Sequence, residues 1–232
     1  MSAESNQNIY AIILASGYST RFGGSMPKQI YNLNGKPVIQ HSMDSLLPLN
    51  PIKIIIITND ICFPLIKKLV NQYTNPNAFE IIVNQDKDSM RMDSLGLGLK
   101  YLKSIECDYN SKIIIHDGAR PHVTTCHYQT LIDEMKNDLA YTQYCLKING
   151  GLINSITFDI VNRENYLEMV TPIAIKYNVF KEIYDQHLDW NPSRGKRNYE
   201  FIPFLKEKKY SFKFITGTYR ILRKITTFDD LD

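Results

Sequence analysis

The chain has no marked excess of charge of either sign: 27 basic residues stand against 24 acidic ones in 232, a net charge of +3. That is too small to argue for a nucleic-acid partner or an anionic membrane surface, so basic residues have to be judged locally. Nor does any run approach the roughly 20 apolar residues that a transmembrane helix needs. Residues 1 to 8 are polar and lack the basic and apolar regions of a signal peptide. Cysteine is scarce: Cys62, Cys107, Cys126 and Cys145 lie far apart with no C-x-x-C pair, which fits reduced thiols in a cytoplasmic protein better than a disulfide framework or a zinc site. Two familiar phosphate signatures are also missing. There is no Gly-Lys followed by Ser or Thr in the glycine-rich loop, and no G-x-G-x-x-G, because Ser19 stands at the second position after Gly17. No internal repeat or low-complexity tract stands out, and the length suits one large α/β domain.

What is present begins with IYAIILASGYSTRFGGSMPKQ, residues 9 to 29. An apolar run, Ile9 to Leu14, empties into a loop of small residues, Ala15-Ser16-Gly17, that goes on to carry Arg21, Gly23, Gly24 and Lys28. Small residues let backbone N–H groups approach an anion, and a guanidinium and an ammonium can neutralise different oxygens of one polyphosphate. The stretch therefore reads as a buried strand feeding a nucleoside-triphosphate loop, against the plainer alternative of a glycine-rich turn. Downstream, Val38, Ile39, Met43, Leu46 and Leu47 have helical spacing, and Ile52 to Thr58 is a continuous run suited to a strand covered on both faces. A helix over Leu65 to Tyr73, a strand over Phe79 to Val83, a helix over Ser94 to Leu102 and a strand over Lys112 to Ile115 continue the alternation. This pattern predicts a doubly wound, Rossmann-like α/β sheet. In such sheets the loops after Leu14, Val83 and Ile115 converge on one cleft at the carboxyl ends of the strands.

Asp117 closes the last of these strands, where a charge is expensive unless it is paired or metal-bound. Because a triphosphate arrives with Mg²⁺ held by one or two carboxylates and phosphate oxygens, Asp117 is the candidate metal ligand. Arg120 can reach a substrate phosphate or form a salt bridge to Asp117. His116 is read as a packed, structural ring. The loop from Ser89 to Ser94, with Arg91 and Asp93, offers groups for a base or ribose, or an N-cap at Asp93.

Ala15-Ser16-Gly17 through Arg21, Pro27-Lys28-Gln29, Asn34-Gly35-Lys36-Pro37, Arg91-x-Asp-Ser94 and His-Asp-Gly-Ala-Arg-Pro at 116 to 121 together resemble the cytidylyltransferases that make CDP-methylerythritol or CDP-ribitol. The likeness runs from about Ile9 to Leu231 and includes Arg163, Thr171-Pro172 and Lys224-Ile225-Thr226. It implies a nucleotidyltransferase fold with a projecting β-hairpin arm. Ala15, Ser16, Gly17, Arg91 and Ser94 would bind CTP, with Ser94 near the cytosine. Arg21, Lys28 and Lys224 would be catalytic, Asp117 would hold Mg²⁺, and Arg120 would serve the second substrate. The same likeness assigns Arg163 and Thr171 to a sugar- or polyol-phosphate in the neighbouring subunit's site. The stretch Thr142 to Phe158, interrupted by Asn149-Gly150-Gly151, itself reads as a hairpin. Alone it would be marginal, so its burial on a twin subunit predicts a homodimer.

The resemblance further implies in-line attack of the acceptor phosphate on the α-phosphorus of CTP, with pyrophosphate leaving and no covalent enzyme intermediate. The sequence departs from the pattern at Ile173, where the family usually has Gln, and at Lys196 to Glu200, which includes Tyr199. Asp189 to Arg197 reads as a charged, solvated loop. These departures keep a non-catalytic nucleotide-binding subunit in view. A sugar-nucleotide-dependent glycosyltransferase is the other alternative, but it needs Asp-x-Asp, and the nearest acidic cluster is Asp229-Asp230-x-Asp232. The chain could also be one domain of a longer, fused protein.

Overall fold

The computed structural model describes residues 8–23, 26–135, 138–189 and 201–231. Gly24, the greater part of the stretch from Asp189 to Arg197, and Lys196 to Glu200 with Tyr199 lie outside these residues. Seven strands form the central sheet: β1 (Ile9–Ala15), β2 (Lys53–Thr58), β3 (Phe79–Val83), β4 (Lys112–Asp117), β5 (Tyr141–Lys147), β6 (Leu167–Lys176) and β7 (Phe212–Thr216). Their spatial order is β7-β5-β6-β4-β1-β2-β3. The pairs among β1, β2, β3 and β4 are parallel, as is β5 with β7, while β6 runs antiparallel to both neighbours.

The alternation of side chains along each strand divides the core between the two faces of the sheet. Ile9, Ala11, Ile13 and Ala15 of β1 join one cluster with Ile54 and Ile56, whereas Tyr10 and Ile12 join the other with Ile55 and Ile57. The first face is covered by α1 (Val38–Leu46), α2 (Phe63–Val70) and, through Tyr128, Leu131 and Ile132, α4 (Thr125–Glu134). The second is covered by α3 (Arg91–Ser104), α5 (Tyr177–Asp189) and α6 (Phe201–Glu207). The doubly wound expectation therefore holds, with β2 carrying buried isoleucines on both faces. Gly98 lets α3 lie close on β1: a Cβ there would stand 2.9 Å from Ile12 Cδ1.

Three local readings need correction. Helix α3 begins at Arg91, three residues before the expected start, because Asp93 is its third residue and accepts the Met90 N–H at 2.6 Å. Asp93 thus satisfies an orphan donor from inside the first turn rather than standing at the N-cap. The hairpin is also different. The partner of β5 is β6, with Leu167 opposite Lys147 and Ile175 opposite Tyr141, not the segment just after Gly151. The tight reversal falls between short strands at Leu152–Ile153 and Ile160–Val161, where Asn154 Oδ1 accepts from Ile156 N and Thr157 N and Phe158 takes φ of 60°. Asn-Gly at 149 and 150 has no such positive φ, so local turn chemistry pointed to the wrong bend.

Residues 148 to 166 form the tip of this arm, which exposes Ile156, Phe158 and Ile160 at 85%, 74% and 91%. A row of large apolar side chains this bare is uncommon on a lone globular chain.

Candidate active site

Loops from the carboxyl ends of β1, β3 and β4 meet in a cleft of about 300 Å³, with Ser16 and Gly17, Ser89 to Arg91 and Ser94, and Asp117 around it. Lys28 and Lys224 complete the lining. The first loop is built to hold its shape. Gln29 is buried and donates from Nε2 to the Gly17 carbonyl at 2.8 Å while its Oε1 accepts from Ser19 Oγ at 2.9 Å. Ser19, at φ of 59°, also accepts the Lys28 N–H at 3.1 Å. Asn59, at the end of β2, donates to the Ser16 and Gly17 carbonyls at 3.2 and 3.3 Å. With these carbonyls already engaged by side-chain donors, the loop is left to meet an anion with N–H groups. Pro-Lys-Gln thus has a physical meaning: Pro27 turns the chain into a 3₁₀ turn, Lys28 enters the cleft and Gln29 staples the loop.

Asp117 is the electrostatic centre. Its Oδ2 lies 3.1 Å from Lys224 Nζ and 3.4 Å from Arg120 Nε. Burial pushes the carboxyl up, but Lys224, Arg120 and Arg91 together outweigh it and hold the group well below the usual carboxylate range. Arg120 also donates from Nη1 to the Leu222 carbonyl, so the salt-bridge alternative for this residue is realised. That contact ties the β4 loop to the C-terminal segment bearing Lys224, as does the Ile225 N–H on the Ala119 carbonyl at 2.8 Å. A small aromatic cluster makes a second tie. Phe22, in the loop that leads to Lys28, packs at 5.5 Å from Tyr31 and 5.7 Å from Phe228.

Lys28 is half-buried beside Lys224 and Arg21. Desolvation first, then repulsion from Lys224, lowers its pKa to about 8 against the partial compensation of Asp117. Arg21 itself is exposed. Ser94 is buried and bonded to Ser16 Oγ at 2.8 Å. Arg91 opens α3 and lines the cleft, and its buried Nη2 has no hydrogen-bond partner. Ala15 packs its methyl into the core, so it can offer a nucleotide only its backbone. His116 is fully buried, with Nε2 3.0 Å from Ser42 Oγ, and burial lowers its pKa to about 3. It is the structural ring that its sequence context suggests.

Thr171 and Arg163 separate. Thr171 is buried and accepts the Asp117 N–H on Oγ1 at 3.2 Å. It therefore supports the site of its own chain, which corrects the expectation that it serves a neighbour. The antiparallel pairing of β6 with β4 brings it there. Arg163 lies on the arm, exposed, and donates to the Asn149 carbonyl. Ile173 is a core residue of β6 opposite Ile115 and Gln143. Asp230 accepts from the Thr226 and Thr227 N–H groups at 2.7 and 2.8 Å, so it works as a local cap rather than as half of an Asp-x-Asp metal site. The residues missed by sequence reasoning are Asn59 and Asn84, each directly after a predicted strand. Their shared position at strand ends was the available signal.

A doubly wound sheet with an anion-ready loop, two lysines and one buried carboxylate at its carboxyl edge defines the nucleotidyltransferase class. The chain belongs to the 2-C-methyl-D-erythritol 4-phosphate cytidylyltransferase family, IspD, whose model matches residues 9–232. It is thus a CTP-dependent cytidylyltransferase that acts on a polyol phosphate. Among similar proteins, the 2-C-methyl-D-erythritol 4-phosphate cytidylyltransferase of Leptospira interrogans is 28% identical over 191 residues, 81% of this chain and 77% of that one. The protein of the same name from Thermotoga neapolitana is 26% identical over 184 residues, 78% of each chain. The solved 4-diphosphocytidyl-2C-methyl-D-erythritol synthase from Anaerococcus prevotii superposes with a TM-score of 0.76 at 20% identity, over 97% of this chain and 95% of that one. The bifunctional IspDF from Campylobacter jejuni gives 0.73 at 22% identity, over 97% of this chain and 53% of that one. At these identities the two structures speak for the fold.

The lowered pKa of Lys28 has a testable consequence: its ammonium is charged below a pH of about 8 and neutral above it, so a contact with the triphosphate would weaken in alkali. We predict that kcat/KM for CTP falls about tenfold per pH unit above that value. Lys28→Arg, which keeps its charge, should move this limb to higher pH even at a lower absolute rate. A flat wild-type profile from pH 7 to 10, at the order of magnitude of this test, would remove Lys28 from contact with the nucleotide.

Proposed function

We propose that the chain transfers CMP from CTP to 2-C-methyl-D-erythritol 4-phosphate, giving the CDP-polyol and pyrophosphate in isoprenoid biosynthesis. The observation that carries this reading is the cleft itself, lined by Lys28 and Lys224 beside the small-residue loop of Ser16 and Gly17, with Asp117 at the end of β4 paired to Lys224 at 3.1 Å. The choice of acceptor rests on the family match and on the names of the relatives, which are methylerythritol names. None of those relatives supports the ribitol alternative.

An acceptor phosphate dianion is already nucleophilic, so the protein has little proton chemistry to do. Its work is to bring two anions together and stabilise the charge shared by the entering and leaving oxygens. Lys28, Lys224 and Arg21 carry the required charges, and Arg91 adds a guanidinium to the lining of the cleft. The donor set also bears on Mg²⁺. No group of three His, Cys, Asp or Glu side chains gathers among the described residues, which fits an ion held mainly by the triphosphate and water, with Asp117 as its single protein carboxylate. Such an ion supplies charge neutralisation at the phosphates when bound. Arg120, engaged by Asp117 and Leu222, serves the acceptor by orienting these groups or by a remaining N–H.

The test is pyrophosphate release from CTP over a panel of methylerythritol, ribitol and other polyol phosphates. Methylerythritol phosphate should give the highest kcat/KM. Lys28→Ala should lose a hundredfold or more, as loss of about 3–4 kcal/mol of charge stabilisation implies. Binding of CTP without turnover of any acceptor would favour the non-catalytic subunit instead.

The bare apolar arm further supports a homodimer in which Arg163 reaches the partner's acceptor phosphate while Lys28 serves its own chain's CTP. Mixing Arg163→Ala with Lys28→Ala subunits should then restore activity, since each mixed dimer has one intact site and one doubly altered site. With random exchange, recovery should reach about a quarter of wild-type activity per subunit. Absence of recovery after demonstrated exchange would place both residues in the same chain's site.

A further inference from the structure

Behind the cleft wall, and not lining it, Asn84 follows β3 and is 5% exposed. Its Oδ1 accepts the Asp86 N–H at 3.1 Å, which fixes the orientation of the amide and turns Nδ2 the other way. That nitrogen donates to Ser89 Oγ at 2.9 Å and to Ser94 Oγ at 3.1 Å. Both serines line the cleft. Asn84 is anchored in turn by its own N–H on the Thr58 carbonyl at 2.7 Å. One side chain therefore joins the two ends of the segment from 84 to 94 and ties it to the edge of the sheet.

The direction of these bonds has a chemical consequence. A hydroxyl has one hydrogen and two acceptor sites. Because Nδ2 can only donate, Ser89 and Ser94 must accept from it, and their hydrogens are released for other uses. Ser94 and Ser16 then share one bond of 2.8 Å, which consumes one of their two hydrogens whichever way it points. One hydrogen of that pair, and that of Ser89, remain as donors at the cleft.

We propose that Asn84 is a positioning residue for CTP, acting through Ser89 and Ser94 to present hydroxyl donors to the acceptor atoms of the nucleotide. The inference rests on the cytidylyltransferase reading of the cleft and adds a residue that does not itself touch the substrate. An unanchored serine could rotate its hydroxyl and accept instead of donate, so the effect belongs to nucleotide affinity rather than to the transfer step. The Ser16 and Gly17 carbonyls are held by Asn59 and Gln29 rather than by Asn84.

The experiment is a double-mutant cycle of Asn84→Ala and Ser94→Ala, read by calorimetry with CTP and by kinetics. Asn84→Ala should raise the Kd for CTP about tenfold, a typical loss for buried hydrogen bonds. Its kcat at saturating CTP should stay within about threefold and the acceptor KM within about twofold. If Asn84 acts through Ser94, the double variant should bind CTP within about twofold of the weaker single variant. Asn84→Asp keeps the Asp86 contact and removes both donors, so it should show the same loss should the alanine variant fail to fold. An unchanged Kd in a folded Asn84 variant, losses that multiply across the cycle, or a defect confined to kcat or to the acceptor would overturn the proposal. Wild type that binds CTP but turns over no methylerythritol phosphate would sink the acceptor reading and leave the cycle to decide on Asn84. Wild type that binds no CTP would sink both.

Discussion

The pairing of Asp117 with Lys224 and Arg120 is the constraint on which the site depends. A carboxylate at 8% exposure, at the end of a central strand, is tolerable only with close cations. Those cations come from the loop after β4 and from the C-terminal segment, which are distant in sequence. The need to neutralise one buried charge therefore draws the chain's last segment over the sheet edge and hangs Lys224 above the cleft. Arg120 on the Leu222 carbonyl and Ile225 on the Ala119 carbonyl make that placement unique. The Phe22, Tyr31 and Phe228 cluster then brings the Lys28 loop to the same segment. Two lysines that repel one another are held together by packing and by one shared carboxylate. Such an arrangement is stable enough to fold, yet it leaves excess positive charge for a triphosphate.

Much of the fold was legible because its signals are local and periodic. The runs Ile9 to Leu14 and Ile52 to Thr58 suit elements buried on both faces, and apart from the exposed Ile52 both lie in neighbouring parallel strands. The small-residue loop and Asp117 were legible for a related reason: a strand that ends in residues poorly suited to burial marks the carboxyl edge where ligands bind. Pro27-Lys28-Gln29 and the His-Asp-Gly-Ala-Arg-Pro stretch narrowed the chemistry further through their resemblance to one family.

Features that depend on register were less accessible. Asn149-Gly150 has the composition of a hairpin turn, but β5 pairs with β6 at the base of the arm, and the reversal further out is taken up by Asn154 and Phe158. Thr171 was assigned to a neighbouring subunit because nothing in its local sequence reveals that β6 returns antiparallel beside β4, putting its hydroxyl under the Asp117 N–H. Asn59 and Asn84 were overlooked because a single amide has no periodicity. Their roles come from donors aimed across loops at Ser16, Gly17, Ser89 and Ser94.

If the cleft brings two phosphates together for one direct displacement at the α-phosphorus of CTP, the configuration there must invert. The measurement is the stereochemical course of transfer from CTP made chiral at that phosphorus by sulfur substitution, with methylerythritol phosphate as acceptor. Inversion of configuration is the expected result, as a single in-line step requires. Retention would show two displacements through an enzyme-bound intermediate and would contradict it.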